Sequence, residues 1–242
     1  MLACLPLLLA LVLAAANPQS VLDGMFNRQS ERDQQMAAAS YRATVTYIET
    51  DLRSGDVKRL ECERLVMRPR FGEETQVFGD VRLNGDVLAG RQRDKQLEFL
   101  RSRGIVARET RLPFFPENRE EYEYAVTGPV AWNDSLVWRV EFEPVKRTAQ
   151  HITGSARVLD GSHDVVSLDF VPSDLPFVVD STSMSLEYAQ VRGQWLPVRF
   201  EADMDLRLAF IIELMRKHIR IEEDYSDYAF TPARPSSTKD GD

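Results

Sequence analysis

Few side chains in this sequence have the types and spacing that catalysis or metal binding requires. The three histidines are His151, His163 and His218, and none lies within zinc-type spacing of another or of Cys62. There is no G-x-S-x-G elbow, no P-loop and no G-x-G-x-x-G motif. With 38 acidic residues some carboxylate pairs are inevitable, and Glu222-Glu223-Asp224 is most simply a solvated strand edge. We therefore predict a non-enzymatic protein that holds no metal and no cofactor.

The N-terminal segment has the pattern of an export signal. Leu5 to Ala16 is an uncharged apolar run, and small residues at Ala14 and Ala16 precede Asn17, as in an A-x-A cleavage site. The run is shorter than the roughly 20 residues of a transmembrane helix. It lacks the usual preceding Lys or Arg, and the alternative is a buried apolar N-terminal helix. We predict that residues 1–16 are a signal peptide and that the mature protein is extracytoplasmic, either periplasmic or secreted.

Composition narrows the class of protein further. Cys4 precedes the apolar run, whereas a lipidated cysteine would follow it, so we expect no lipid anchor. Cys62 is then a lone, small core residue. The net charge of −8 and a pI near 5.1 argue against a nucleic-acid partner, because phosphate contacts need clustered Lys and Arg. We expect a monomer with one domain over 17–230 and a disordered tail over 231–242, which is rich in Pro, Ser and charge.

The first part of the domain changes from helical to strand periodicity. Residues 18–39 have a helical row of apolar side chains, and 41–49 alternate with period two. A second strand runs from Val57 to about Arg68, where a shift in phase predicts a β-bulge. Residues 91–103 are highly charged and suggest a short helix or lid, with a solvated surface excursion as the alternative. Residues 112–116 suggest an ordered loop that packs on the body.

From residue 120 onward the strand pattern is continuous. Strands are predicted up to 191, with Asp160-Gly161 and Arg192-Gly193 at hairpin turns. Residues 196–212 alternate without a break, which favours one long or bent strand over a helix at 206–216. A last strand covers 218–230. The sequence therefore predicts a mainly β (α+β) domain, with one curved antiparallel sheet and helices over its apolar concave face.

The apolar positions of these strands are the candidates for a binding site. Ordinary core is the simpler interpretation of alternation, and a hydrophobic groove is the other, with the N-terminal helix and the 91–115 region as its lid. The groove candidates share one face of the predicted sheet and are Trp138, Val140, Phe142, Leu186, Val198, Phe200, Met204, Leu206, Leu208 and Phe210.

Four segments of the chain have a characteristic strand-and-turn pattern. They are Tyr41-Arg42-Ala43-Thr44-Val45, the hairpin strand from Gly154 to Asp160 with Val165-Val166-Ser167-Leu168 after it, Tyr188-x-x-Val191-x-Gly193-x-Trp195-Leu196-Pro197, and Tyr225-Ser226-Asp227-Tyr228. Together these segments resemble one known family, the outer-membrane lipoprotein carrier superfamily (LolA/LolB-like), and the resemblance covers most of 18–230. It implies an incomplete, strongly curved antiparallel half-barrel whose helices cover an apolar concave face. It also implies binding and transfer of lipid-modified proteins, or sensing of lipid-like ligands.

The function that we expect from these features is an exported carrier or binding protein for a hydrophobic ligand. The expected partner is a lipid or a lipidated protein. The alternative is an extracytoplasmic scaffold or interaction module with a filled core and no lipid. A hydrolase is disfavoured, since no nucleophile and base are recognisable.

Overall fold

The computed structural model describes residues 17–36, 39–67, 74–103, 112–209 and 214–230. The predicted signal peptide and C-terminal tail lie outside these ranges. One antiparallel sheet dominates the fold, and a short 3₁₀ helix, Pro116–Glu121, precedes its fifth strand. The other elements are α1 (Pro18–Met36), β1 (Ala39–Asp51), β2 (Val57–Met67), β3 (Thr75–Leu83), β4 (Asp86–Val87), α2 (Gly90–Arg103), β5 (Tyr122–Trp132), β6 (Ser135–Pro144), β7 (Ile152–Leu159), β8 (Val165–Pro172), β9 (Val179–Val191), β10 (Gln194–Ala209) and β11 (Leu214–Phe230).

The sheet is a meander whose first and last strands meet in its interior. Its 11 strands have the order β4-β3-β2-β1-β11-β10-β9-β8-β7-β6-β5. Every neighbour is antiparallel, so short hairpins suffice except where β1 pairs with β11. The predicted fold class, a curved open antiparallel sheet with an N-terminal helix, is confirmed. No helix that the structure describes is both long and apolar enough to cross a membrane.

Both helices cover the same face of the sheet, which we call the helix-bearing face. Residues directly paired across antiparallel strands point to the same side. A single transverse row of paired residues can be followed from the strands beneath α2 to those beneath α1. The row is Val81, Cys62, Val45, Glu223, Phe200, Leu186, Leu168, Ala156, Val140 and Val126, one from each strand except β4.

Helix α1 is held on the sheet by apolar packing and by two arginines, Arg32 and Arg28, whose Nε donates to Asp164 Oδ1 at 3.3 Å. Val21, Met25 and Phe26 are buried against β5 to β8. Near the helix C-terminus, Arg32 donates from Nη2 to the Val165 carbonyl at 3.1 Å. Its guanidinium also lies 4.5 Å from the ring centre of Tyr188. The buried apolar side of the helix fixes its position on the sheet. The contacts of its arginines near the β7–β8 turn fix the direction in which it runs.

An irregularity lies at the predicted place, between Cys62 and Arg64 in the pairing of β2 with β3, but the extra residue is not in β2. β2 pairs with β1 without interruption from Val57 to Met67. The irregularity lies in β3, where the register with β2 shifts around Gly79. The apolar residues of β2 change phase for another reason. Leu65 and Met67 are apolar side chains on the face opposite the helices, where both are exposed.

The long alternating segment forms a strand, as predicted, over Gln194–Ala209. Its pairing with β9 contains a bulge between Pro197 and Arg199. The positions 206–209 and 214–216 lie in β10 and β11, so the helical alternative is wrong there, and 210–213 lie outside the described residues. The 91–103 region is a helix, α2, whose Leu97 and Leu100 are buried on the sheet.

Candidate functional site

Two helix-covered clusters occupy the two halves of the helix-bearing face. Under α1, Val140, Ala156 and Leu168 are buried among side chains of β5 to β8. Under α2, Cys62 and Val81 are buried among side chains of β1 to β3. A third, smaller cluster joins the end of α1 to one end of the β1–β11 pair. Each helix therefore closes its own part of the sheet.

Between these clusters the same face is only partly covered. In the transverse row, the residues from Val81 to Glu223 and from Leu168 to Val140 are buried, whereas Leu186, Phe200 and the terminal Val126 are half-buried. These two residues pair directly across β9 and β10. The row of half-buried apolar side chains in the middle of the face is called the central strip, and it consists of Leu186, Phe200, Met204, Leu206 and Ile221.

The residues predicted to line a groove fall into four groups. Trp138, Val140 and Phe142 are buried under α1 as core, and the Trp138 Nε1 donates to Asp160 Oδ1 at 2.8 Å. Val198 is half-buried in the β10 bulge. Leu186, Phe200, Met204 and Leu206 lie in the central strip. The backbone of Leu208 pairs with Met215, while the Leu208 side chain and all of Phe210 lie outside the described part of the chain.

A buried polar group lies beside the central strip. The Glu223 Oε2 accepts a hydrogen bond from Arg64 Nη2 at 2.6 Å and one from the Tyr225 hydroxyl at 3.0 Å. The side chains of Arg64 and Glu223 are 15% and 10% exposed. Tyr41 stacks edge-on against the Tyr225 ring, with 5.8 Å between ring centres. We call Arg64, Glu223 and Tyr225 the polar trio.

The trio is electrically neutral as a unit. Burial raises the pKa of Tyr225 well above its usual value, and the neighbouring Glu223 charge adds to this, so the phenol stays protonated. Burial alone would lower the pKa of Arg64, but the Glu223 carboxylate outweighs it and the pKa is raised. The site is therefore one cation, one anion and one neutral hydroxyl, with its ion pair held largely out of water.

Sequence reasoning missed this trio. Glu223 was expected on a solvated strand edge, and that prediction is wrong, since the residue is 7% exposed. The alternation of Ile219, Ile221, Glu223 and Tyr225 could have placed the carboxylate on the apolar face, because residues two apart in a strand share a side. Its partner Arg64 comes from β2 and could not be recognised from this local pattern.

His151, His218 and Cys62 all lie among ordinary protein side chains. His151 is buried and contacts Thr148 Oγ1 at 2.6 Å and Glu121 Oε2 at 2.9 Å. His218 contacts Asp205 at 2.9 Å and Asp203 at 3.3 Å on the opposite face. Cys62 is a buried core residue, as predicted. Within the described residues no group of three or more His, Cys, Asp or Glu side chains is arranged to hold a metal ion.

A cavity of about 470 Å³ opens where β8 and β9 separate. Their hydrogen-bonded pairing ends at Phe170 and Met184, and the acidic side chains of the lining lie on the face opposite the helices. Each of these carboxylates has a basic partner: Asp169 lies 3.5 Å from Arg157, Glu201 lies 2.5 Å from Arg199, and Asp203 lies 3.3 Å from His218. Phe170, Val171 and Met184 also line this cavity, so its lining mixes paired carboxylates with apolar side chains.

No protein-family model matches this chain, and no curated protein matches it. Similar folds occur among solved structures. A domain from Vibrio parahaemolyticus described as an outer-membrane lipoprotein-sorting protein is 11% identical, with 91% of this chain and 96% of that chain covered and a TM-score of 0.40. A LolA superfamily protein from Nitrosomonas europaea has the same identity and coverage with a TM-score of 0.36.

A DUF1329 family protein from Desulfovibrio piger is also 11% identical, with 89% of this chain and 94% of that chain covered and a TM-score of 0.41. These are likenesses in fold between proteins of very different sequence. The solved structures to which this chain is similar at this low identity thus include a LolA superfamily protein and a DUF1329 family protein.

Proposed function

We propose that this chain is an extracytoplasmic, non-enzymatic protein that binds a hydrophobic ligand, either a lipid or the acyl chain of a lipidated protein. The observation that supports this is the central strip. Apolar side chains from β9, β10 and β11 remain half-buried between two helix-covered clusters on one face. Half-buried apolar side chains in a row, on a face where both neighbouring clusters are closed, are suited to an elongated apolar ligand.

The driving force for binding would be burial of the remaining exposed surface of the strip. Each methylene of a bound chain that leaves water contributes about 0.8 kcal/mol. Helices α1 and α2 flank the strip and pack on it through separate clusters. A shift of either helix would widen the site at the expense of its own packing, so ligand release is favoured when the helix repacks. Such coupling is what a carrier that hands its ligand on requires.

The test is native mass spectrometry of the protein purified from a secreting bacterial host, together with extraction of copurified lipid. Phe200→Glu places a charge in the centre of the strip and should abolish acyl-chain binding. Phe177→Glu is the matched control, because Phe177 is 93% exposed on the β8–β9 connection and the substitution is chemically identical. Both variants must retain the circular dichroism spectrum of the wild type.

Copurified acyl species that are lost in Phe200→Glu and kept in Phe177→Glu would support the proposal. A wild-type protein that carries no lipid and takes up none from added lipids or lipopeptides would contradict it. That outcome would favour the scaffold alternative, in which the half-buried strip is simply the edge of a filled core.

A further inference from the structure

One polar position interrupts an otherwise apolar row across the sheet. In the transverse row every residue is apolar or a thiol except Glu223. The carboxylate lies directly opposite Phe200 of the central strip. A buried charge in such a row costs folding free energy, even when it is paired, and hydrophobic residues of similar volume would be at least as stabilising. Its presence beside the strip calls for a role other than stability.

The trio has hydrogen-bonding capacity that the described residues leave unused. The Arg64 Nε is buried and has no hydrogen-bond partner among the residues that the structure describes. Both hydrogen bonds to Glu223 end on Oε2, and Oε1 accepts none from the described residues. A spare donor and a spare acceptor thus lie on neighbouring side chains. An unsatisfied buried donor such as the Arg64 Nε is expensive, and a ligand that offers it one acceptor could also donate to the Glu223 Oε1.

The charges of the trio select against ionic ligands. A carboxylate or phosphate near Arg64 would also lie near Glu223 and be repelled. An ammonium group near Glu223 would likewise lie near Arg64. Because the pair already neutralises itself at 2.6 Å, the complementary group is uncharged and carries both a donor and an acceptor.

We infer that the polar trio is the recognition site for an uncharged donor–acceptor group, a secondary amide or a hydroxyl, on an amphiphile whose apolar chain lies along the central strip. This inference rests on the proposed function and specifies the chemical class of its ligand. The apolar chain of the ligand supplies most of the binding free energy. The polar trio selects which amphiphile is bound and where its polar group lies along the strip.

The test compares the affinities of four probes whose apolar chains all have twelve carbons. Each affinity is measured by displacement of a fluorescent naphthylamine dye from the full-length protein. N-methyldodecanamide has a donor and an acceptor, and N,N-dimethyldodecanamide has only the acceptor. Dodecanoate and dodecyltrimethylammonium carry the two charges. We expect N-methyldodecanamide to bind about tenfold more tightly than the other three, the size of one matched hydrogen bond in a buried site.

Two variants then examine the trio itself. The double variant Arg64→Met with Glu223→Met removes both charges at similar volume and should bind all uncharged probes equally. Glu223→Gln keeps the shape but leaves Arg64 unpaired, so it should reverse the preference and bind dodecanoate most tightly. The second variant keeps the inference testable if the first fails to fold, as judged by circular dichroism.

The outcomes separate this inference from the proposed function. Binding of all four probes with equal affinity by the wild type, or an unchanged preference in Glu223→Gln, would overturn the inference and leave the hydrophobic-ligand proposal intact. Absence of binding by every probe would overturn both. A preference of the wild type for either charged probe would show that the pair opens for the ligand, and it too contradicts the inference.

Discussion

Phe200 on β10 and Glu223 on β11 are directly paired, so a half-buried aromatic ring lies next to a buried carboxylate in the middle of the sheet. Directly paired residues of antiparallel strands have their side chains about 5 Å apart on one face. A half-buried apolar part of the helix-bearing face is therefore adjacent to the one charged position of the transverse row. A ligand on the central strip would therefore lie next to the polar trio, which is the basis for the chemical preference that we infer.

Breaking the Arg64–Glu223 pair from one side should be costly. We expect Glu223→Ala to lower the free energy of unfolding by about 3 kcal/mol, because a largely buried guanidinium then lacks its partner. The double variant Arg64→Met with Glu223→Met should be near wild type. Urea denaturation measures both, and the exposed pair Arg139–Glu141 at 3.1 Å is the control, where Glu141→Ala should change stability by less than about 1 kcal/mol. Equal effects at the two pairs would contradict this burial argument.

Gly154 is required by the close approach of two strands. A Cβ at this position would lie 2.1 Å from the Asp169 carbonyl oxygen and 2.7 Å from the Phe170 Cα, both backbone atoms that cannot move aside alone. We expect Gly154→Ala to separate β7 from β8 and to cost about 2 to 3 kcal/mol in thermal or urea unfolding. Gly79→Ala is the control, since its nearest contact would be an ordinary 3.5 Å. A Gly154→Ala variant as stable as Gly79→Ala would show that the strands can relax.

Cys62 should react slowly and should make stability depend on alkaline pH. Burial raises the pKa of its thiol to about 11, so the folded protein keeps the proton that an unfolded chain loses near the ordinary thiol pKa of 9.0. The contribution of this thiol to the free energy of unfolding is fully present below pH 9. It declines as the pH rises toward 11, because ionisation of the thiol favours the unfolded chain.

Thiol labelling with a disulfide reagent in a Cys4→Ser background measures the first effect, and urea midpoints at pH 8 and pH 10.5 measure the second. We expect labelling only at the rate of unfolding, and a midpoint that falls more in the wild type than in Cys62→Ala. Rapid labelling of the folded protein at pH 8 would mean that the thiol is accessible on the helix-bearing face.

Much of the secondary structure could be predicted because its signal is local. Period-two alternation at Phe200, Ala202 and Met204 predicted a strand with one apolar face, and the strand is present. The helical row at Val21, Met25 and Phe26 likewise predicted α1 and the face that it buries. In each case the residues that decide the conformation are neighbours in the chain.

The errors arose where the deciding partner is distant in sequence. Leu65 was assigned to a bulged β2, but the register shift belongs to β3, and Leu65 simply lies on the opposite, exposed face. Glu223 was expected in solvent beside two other acids, and its compensating positive charge comes from Arg64, 159 positions away. Local charge density does not predict burial when the compensating charge comes from another strand.

Apolar and polar side chains alternate along the strands, and helical segments with an apolar side can cover the resulting apolar face. Both features can be recognised in the sequence alone, because periodicity is a property of consecutive residues. Tertiary structure decided which part of that face stays half-covered. The pairing of β1 with β11 brings Arg64 to Glu223 and places the central strip between the clusters of α1 and α2. Pairing between strands far apart in the chain depends on the whole sheet, and no local pattern of residues encodes it.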